Sequence, residues 1–394
     1  MQLAQPAQPA QPVVHRSHYF PAIFAGLAAS LVGIGLARFA YTPLLPAMIH
    51  AQWFDASQVA YLGAANLAGY LIGALSGRAM AQRLSPVMVI RLTTLLASIS
   101  FLACAFPLSE SWFFAWRLLS GVAGGAIMVL VSSVVLHRVP NGKKGLASGA
   151  IFLGIGLGVA ISGTLVPLML EVSLRATWLS LGALSLALTA LSWPAWPDHD
   201  HTRVRSPGPV KTAMPRGLQV LLVQYALAAL GLVPEMLFLV DYVSRSQGYG
   251  TTLGSAAWVA YGVGAMAGPV LYGMAADRWG ARGSIRVVLA VQMLAVAALA
   301  LTGKVAGLMA LAVVIGSFPA GVVPLGLSRM HALVPDQHAR EAMWSRLTVA
   351  FALAQAVGGY LYSAVYTWTG GQHVATFWMG AGAFLLAILV GLAE

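Results

Sequence analysis

One pattern recurs twelve times along the chain: a run of about twenty or more mostly apolar residues, then a polar break. Each run is long enough to cross bilayer hydrocarbon as a helix. A helix is also the structure that satisfies its own backbone groups there. The runs lie near 19–46, 57–81, 87–107, 112–136, 146–170, 175–194, 218–243, 252–276, 284–302, 305–327, 343–366 and 373–392. The expected fold class is therefore all-α, an integral membrane protein with twelve transmembrane helices. The Gly- and Pro-containing run at 305–327 leaves room for a shorter or broken helix. Only 8% of residues are charged, against about 25% in soluble domains.

The formal net charge of +11 does not indicate nucleic-acid binding, because the basic residues form no dense patch. They sit in the short polar breaks, where they act as topology signals. With a cytoplasmic amino terminus, 17 of the 22 Lys and Arg residues fall on the cytoplasmic side. Only Arg175, Arg245 and Lys304 fall outside, while Arg38 and Arg117 lie within helices. The expectation is a multi-pass protein of a bacterial inner membrane with both termini in the cytoplasm. The first run carries no small-residue cleavage site and is interrupted by Arg38, so it is expected to stay in the membrane. Cys104 is the sole cysteine, which excludes a disulfide within the chain.

Residues 1–18 are expected to form a cytoplasmic tail, its Gln-, Pro- and Ala-rich start disordered. The longest hydrophilic break separates runs six and seven, dividing the chain into 19–194, a cytoplasmic linker 195–217, and 218–394. Asp198, His199, Asp200 and His201 in that linker lack rigid metal-ligand spacing. The halves also match locally. The stretch Gly73–Ser85 resembles Gly268–Gly280 at an offset of 195 residues, aligning Gln82 with Asp277 and Arg83 with Arg278. A duplicated six-helix unit follows from that offset.

These two stretches resemble the motif that major facilitator superfamily transporters carry between the second and third helices of each half. The second copy has Gly273, Asp277, Arg278 and Gly280, whereas the first lacks the aspartate. Arg117 followed by Gly121, Gly124 and Gly125 resembles the superfamily's fourth-helix motif. The run from Gly154 through Gly158 to Gly163 resembles the fifth-helix motif of proton-coupled exporters, with Val159 where proline is usual. More narrowly, Gly33–Pro46 is similar to the first-helix signature of the YbfB/YjiJ group within that superfamily. The resemblance implies two pseudo-symmetric six-helix bundles, alternating access, and first and seventh helices facing a central cavity. It also implies conformational roles for Gly73, Arg83, Gly121, Gly154, Gly158, Gly163, Gly273, Asp277 and Arg278. Asp277 and Arg278, with Arg83 in the first half, would latch the halves on the inner side.

Few charges lie in the apolar runs away from their cytoplasmic ends: Arg38, Arg117, Glu235 and Asp241. An intramembrane charge is costly and so marks a candidate functional site. Sliding the first helix onto the seventh by 196 residues sets Arg38 against Pro234 and Phe39 against Glu235, at nearly equal depth. Arg38 and Glu235 then either pair directly or compete with substrate and proton. A carboxylate in a poorly hydrated cavity favours its protonated form and a nearby arginine opposes this, so Glu235 is the first candidate for proton coupling. Arg117 carries a coupling role through the resemblance, with snorkelling to the outer interface as the alternative. Asp241 is a third candidate, although its place near the outer end suits a solvated interface charge.

Candidate substrate-binding residues are Arg38 with Tyr41, Asn66, Tyr70, Gln224, Tyr225, Tyr261, Gln355 and Tyr362. The amides of Asn66 and Gln355 need partners in an apolar helix, whether substrate or a neighbouring helix. No phosphate loop, catalytic triad or metal-ligand constellation occurs in the sequence. The reading is a non-enzyme without cofactor or metal, working as a monomer. Its partners are the bilayer, protons and a small organic substrate, anionic or amphipathic, and no nucleic acid. Proton-coupled secondary transport is the leading expectation, tipped towards antiport and efflux by the fifth-helix motif. Uptake of an organic anion by proton symport is the alternative that Arg38 supports, and a non-transporting receptor or scaffold is a third reading.

Overall fold

A computed structural model describes residues 19–140, 143–196 and 214–393. The tail 1–18 and most of the linker, including the cluster Asp198–His201, lie outside the described residues. Among those described, twelve helices are long and apolar enough to span a membrane. They are α1 (Tyr19–His50), α2 (Ala56–Arg83), α3 (Pro86–Cys104), α4 (Glu110–Leu136), α5 (Ala147–Leu170) and α6 (Leu174–Ala195), then α7 (Arg216–Ser246), α8 (Gly250–Trp279), α9 (Ala281–Leu301), α10 (Val305–Leu333), α11 (Ala342–Trp368) and α12 (His373–Leu392). The expected all-α fold of twelve membrane-spanning helices is what the chain adopts.

The run expected near 305–327 is one unbroken 29-residue helix despite Pro319 and Pro324. Neighbouring helices and local adjustment accommodate proline inside a membrane bundle. The breaks fall in α1 and α7 instead. In α1 a π-turn spans Leu31–Leu36, and the helix restarts at Tyr41, ahead of Pro43 and Pro46. In α7 the helix restarts at Val233, immediately before Pro234, and ends in a π-turn at Tyr242–Ser246. π-turns inside helices frequently accompany functional sites.

The duplication is visible in the packing. A Cβ on Gly69 or Gly73 of α2 would lie 2.0 or 2.1 Å from a carbonyl oxygen of α4. A Cβ on either of their counterparts 195 residues on, Gly264 and Gly268 of α8, would likewise collide with a carbonyl of α10. A Cβ on Gly121 would collide with the Asn66 carbonyl, and one on its counterpart Gly316 with the Tyr261 carbonyl. Backbones this close leave no room for a side chain, so the α2–α4 contact of one half is rebuilt as α8–α10 in the other.

The two motif copies assigned to loops are mainly helical. Gly73 and Arg83 lie inside α2, and Gly273, Asp277 and Arg278 lie inside α8. In the second copy, Gly280 ends the helix with φ +75°, a conformation that side chains disfavour. The polar residues therefore extend the helices beyond their apolar segments rather than ending them.

With an even number of spans, the first and last described residues lie at one end of the bundle. That terminal end is tied by the Arg216 and Arg286 guanidiniums, which donate to the carbonyls of Ala393 and Gly391, and by Lys143, which donates to the Tyr19 hydroxyl. The halves hold each other on the opposite, distal side of the centre. The Thr42 hydroxyl on α1 donates to the Met236 carbonyl on α7 at 2.7 Å. Ser57 on α2 meets Thr367 on α11 at 2.8 Å, and Trp258 on α8 donates to Ser162 on α5 at 3.1 Å.

Candidate functional site

Arg38 is delivered to the centre by the interrupted stretch of α1. Gly33 and Gly35 lie in the π-turn. A Cβ on Gly124 of α4 would lie 2.4 Å from the Gly33 carbonyl, and one on Gly158 of α5 would lie 2.5 Å from the Gly35 backbone. These contacts fix the turn from two sides, as expected from glycines that allow close packing. The guanidinium carbon lies 5.1 Å from the Tyr70 ring centre and 5.5 Å from that of Phe39, both within cation–π range. Its Nε and Nη2 are buried without a hydrogen-bond acceptor.

Glu235 is fully buried, and neither carboxyl oxygen has a hydrogen-bond partner. Among the described residues, Arg38 and Glu235 form no ion pair; the ion pairs converge on Asp241. The direct pair, one of the two arrangements left open by the sequence, is absent. The helix alignment matched depth alone, whereas one residue of offset turns a side chain by about 100° around an α-helix. Tyr261 lies within electrostatic range of both charges. Its hydroxyl is buried and also unpartnered. Tyr362 lies within electrostatic range of Glu235 from the α11 side.

Arg117 does not snorkel. It is 3% exposed, donates from Nη1 to the Ala37 carbonyl at 2.9 Å, and sits 4.2 Å from the centre of the Tyr41 ring. The Ala37 carbonyl lies beside the break in α1, so Arg117 supports the segment that carries Arg38. Tyr41 donates its hydroxyl to the Val59 carbonyl at 2.6 Å. Asn66 donates to Ser120 at 2.8 Å and to the Arg117 carbonyl at 3.3 Å. Of the roles open to its amide, bridging helices is the one seen.

Asp241 is not a solvated interface charge. It is completely buried and binds Arg245 through two bonds of 2.5 and 2.9 Å, His373 at 2.7 Å and the Tyr366 hydroxyl at 3.2 Å. The π-turn at the end of α7 sets Arg245 against Tyr366, while His373 opens α12 and also meets Ser246 at 2.7 Å. Sequence reasoning missed His373 and Tyr366, although the Asp241–Arg245 spacing of four was a readable signal. Asp241→Ala should lower stability by about 2–3 kcal/mol, measured as unfolding of the purified protein. Breaking a fully buried pair costs about 3–5 kcal/mol, and the Arg245 side chain is 37% exposed, which discounts that figure.

Tyr225 packs against Phe351 and Trp344, with ring centres 4.8 and 6.2 Å away, and lies within electrostatic range of Tyr70 in the other half. Gln224 bridges α7 to α12 through the Ala387 carbonyl at 3.1 Å. Gln355 is buried with Oε1 unpartnered. Asp277, Arg278 and Arg83 are exposed, and among the described residues Asp277 and Arg278 form no ion pair. Of the glycines, Gly154 and Gly163 have no room for a side chain, a Cβ there meeting the Leu27 carbonyl and Val259, while one on Gly273 would meet open space. The structure thus gathers Arg38, Tyr70, Tyr261, Glu235 and Tyr362 near the centre. Tyr41, Asn66, Gln224 and Asp241 are engaged in bonds between or along helices.

Similarity to known proteins is extensive at the level of the family and partial at the level of individual relatives. A 4-hydroxybenzoate transporter, PcaK, of Acinetobacter baylyi is 28% identical over 148 residues, which is 38% of this chain and 32% of that protein. A gallate transporter of Pseudomonas putida is 31% identical over 138 residues, 34% of this chain and 30% of that protein. The uncharacterized MFS-type transporter YwfA of Bacillus subtilis is 27% identical over 161 residues, 39% of each. The aligned stretches thus span about a third of the length of these relatives. The model of the family described as "Uncharacterised MFS-type transporter YbfB", in contrast, matches residues 30–392. The chain, a multi-pass membrane protein, therefore belongs to this family of MFS-type transporters.

Proposed function

We propose that the chain is a secondary transporter that takes up small organic anions by alternating access, in symport with protons. The observation that carries this reading is Arg38, a central arginine with buried donor nitrogens and no acidic partner among the described residues. A guanidinium in that position favours an arriving carboxylate, which it can hold through two parallel hydrogen bonds. Two relatives named for the transport of hydroxybenzoate and gallate, both carboxylic acids, support the same choice. The efflux reading rested on a fifth-helix motif in which Val159 replaces proline, and it has no equivalent support at the centre.

Glu235 is the proposed proton site. A buried carboxyl with neither oxygen hydrogen-bonded is accommodated as the neutral acid rather than as an ion. Opening the centre to water would let it release the proton. Residues 19–194 and 218–394 are the proposed moving bundles, with 195–217 connecting them on the cytoplasmic side. Contacts between halves on the distal side fit a form closed to the exterior. Asp277, exposed and without an ion pair among the described residues, fits a terminal-side latch that forms only in the opposite form.

Purified protein in liposomes, given an inward proton gradient, should accumulate small carboxylates and ignore organic cations. Uptake of cations but not anions, or anion uptake indifferent to the gradient, would overturn the respective half of the proposal.

A further inference from the structure

Three buried polar groups near the centre lack partners: Arg38 at Nε and Nη2, the Tyr261 hydroxyl, and both oxygens of Glu235. Buried polar groups are otherwise nearly always hydrogen-bonded, so unsatisfied groups gathered in one place call for an explanation. They also lie within reach of one another. Arg38 and Glu235 are too far apart for an ion pair, and Tyr261 lies within electrostatic range of both.

Rings occupy the surroundings. Tyr70 and Phe39 flank the guanidinium, Trp258 stands 6.2 Å from Phe39, and Tyr261 stacks on Trp258 with ring centres 4.7 Å apart. A ligand satisfying all three groups needs an anionic end for Arg38 and a flat apolar body to lie among these rings. It also needs, at the end opposite the anion, a group that both donates and accepts. A phenolic hydroxyl does both, accepting from Tyr261 while donating to a Glu235 oxygen.

We infer that the substrate is a hydroxylated aromatic carboxylate held at both ends, its carboxylate by Arg38 and the hydroxyl across the ring by Tyr261 and Glu235. This inference rests on Arg38 being the anion-binding group. Tyr261 then determines specificity, and the proton site itself touches the substrate. A ring hydroxyl beside the carboxylate points to the wrong end and gains nothing.

Titration of the full-length protein in detergent with benzoate, 4-hydroxybenzoate, 2-hydroxybenzoate and succinate tests this. 4-Hydroxybenzoate should bind at least about tenfold more tightly than benzoate or 2-hydroxybenzoate, because a site built for a hydroxyl rejects the analogue lacking it. Tyr261→Phe should narrow that ratio to below about threefold. Equal affinity for the three benzoates overturns the inference from the wild-type protein alone, as does a ratio unchanged in a folded Tyr261→Phe variant. Binding of succinate without any benzoate also overturns it, while leaving the organic-anion reading intact. No binding by any anion removes that reading as well.

Discussion

Arg38→Ala is expected to lower uptake of every anionic substrate by roughly 30-fold to several thousand-fold, corresponding to about 2–5 kcal/mol for losing one partner of a buried charge pair. The same substitution should leave the empty protein as stable as before, or more so. Arg38 gives up two cation–π contacts on removal but no hydrogen bond from its buried nitrogens, and removing a buried charge with no acidic partner relieves a desolvation cost that offsets them. Uptake rate in liposomes and the unfolding midpoint in detergent together separate the roles: a large fall in both would make Arg38 a structural residue. Arg38→Lys should fall between wild type and alanine, because an ammonium keeps the charge and loses the planar fork that matches a carboxylate.

Glu235→Gln is expected to abolish accumulation against a gradient while sparing exchange of labelled for unlabelled substrate. Glutamine matches the neutral acid in shape and keeps a carbonyl oxygen, so the buried environment should tolerate it with a stability change under about 1 kcal/mol. It cannot release a proton. A Glu235→Gln variant that still concentrates substrate would exclude this carboxyl from coupling. One that loses exchange and accumulation together would show that the carboxyl is needed for the conformational change itself.

The array of helices was legible because each of its terms is written locally. Apolar run length gives the spans, and the glycine pattern near Gly73 and Gly268 gives the duplication. The isolated charges Arg38, Arg117 and Glu235 were equally visible, since a single charge in an apolar run stands out by composition alone. Their surroundings were not, because they depend on rotation about helix axes and on residues distant in the sequence. Thus Arg38 and Glu235, matched in depth, form no ion pair and meet only through a shared neighbour, Tyr261, which comes from another helix. Arg117 turned out to hold the Ala37 carbonyl, a bond between helices 80 residues apart in sequence. His373 escaped notice because it begins its helix, where a polar residue is ordinary, and only the fold brings it to Asp241.

The Thr42–Met236 hydrogen bond joins the two halves one helical turn beyond Arg38 on one side and at the residue after Glu235 on the other. Separating the halves on the distal side would break this bond, so the segments proposed to hold the anion and the proton would part together there. A ligand that favours one position of this joint biases it for the other ligand by an equal free energy, as thermodynamic reciprocity requires. Substrate should therefore tighten the hold on the proton by the same factor by which the proton tightens the hold on substrate, with one bond between α1 and α7 as the contact that both ligands bias.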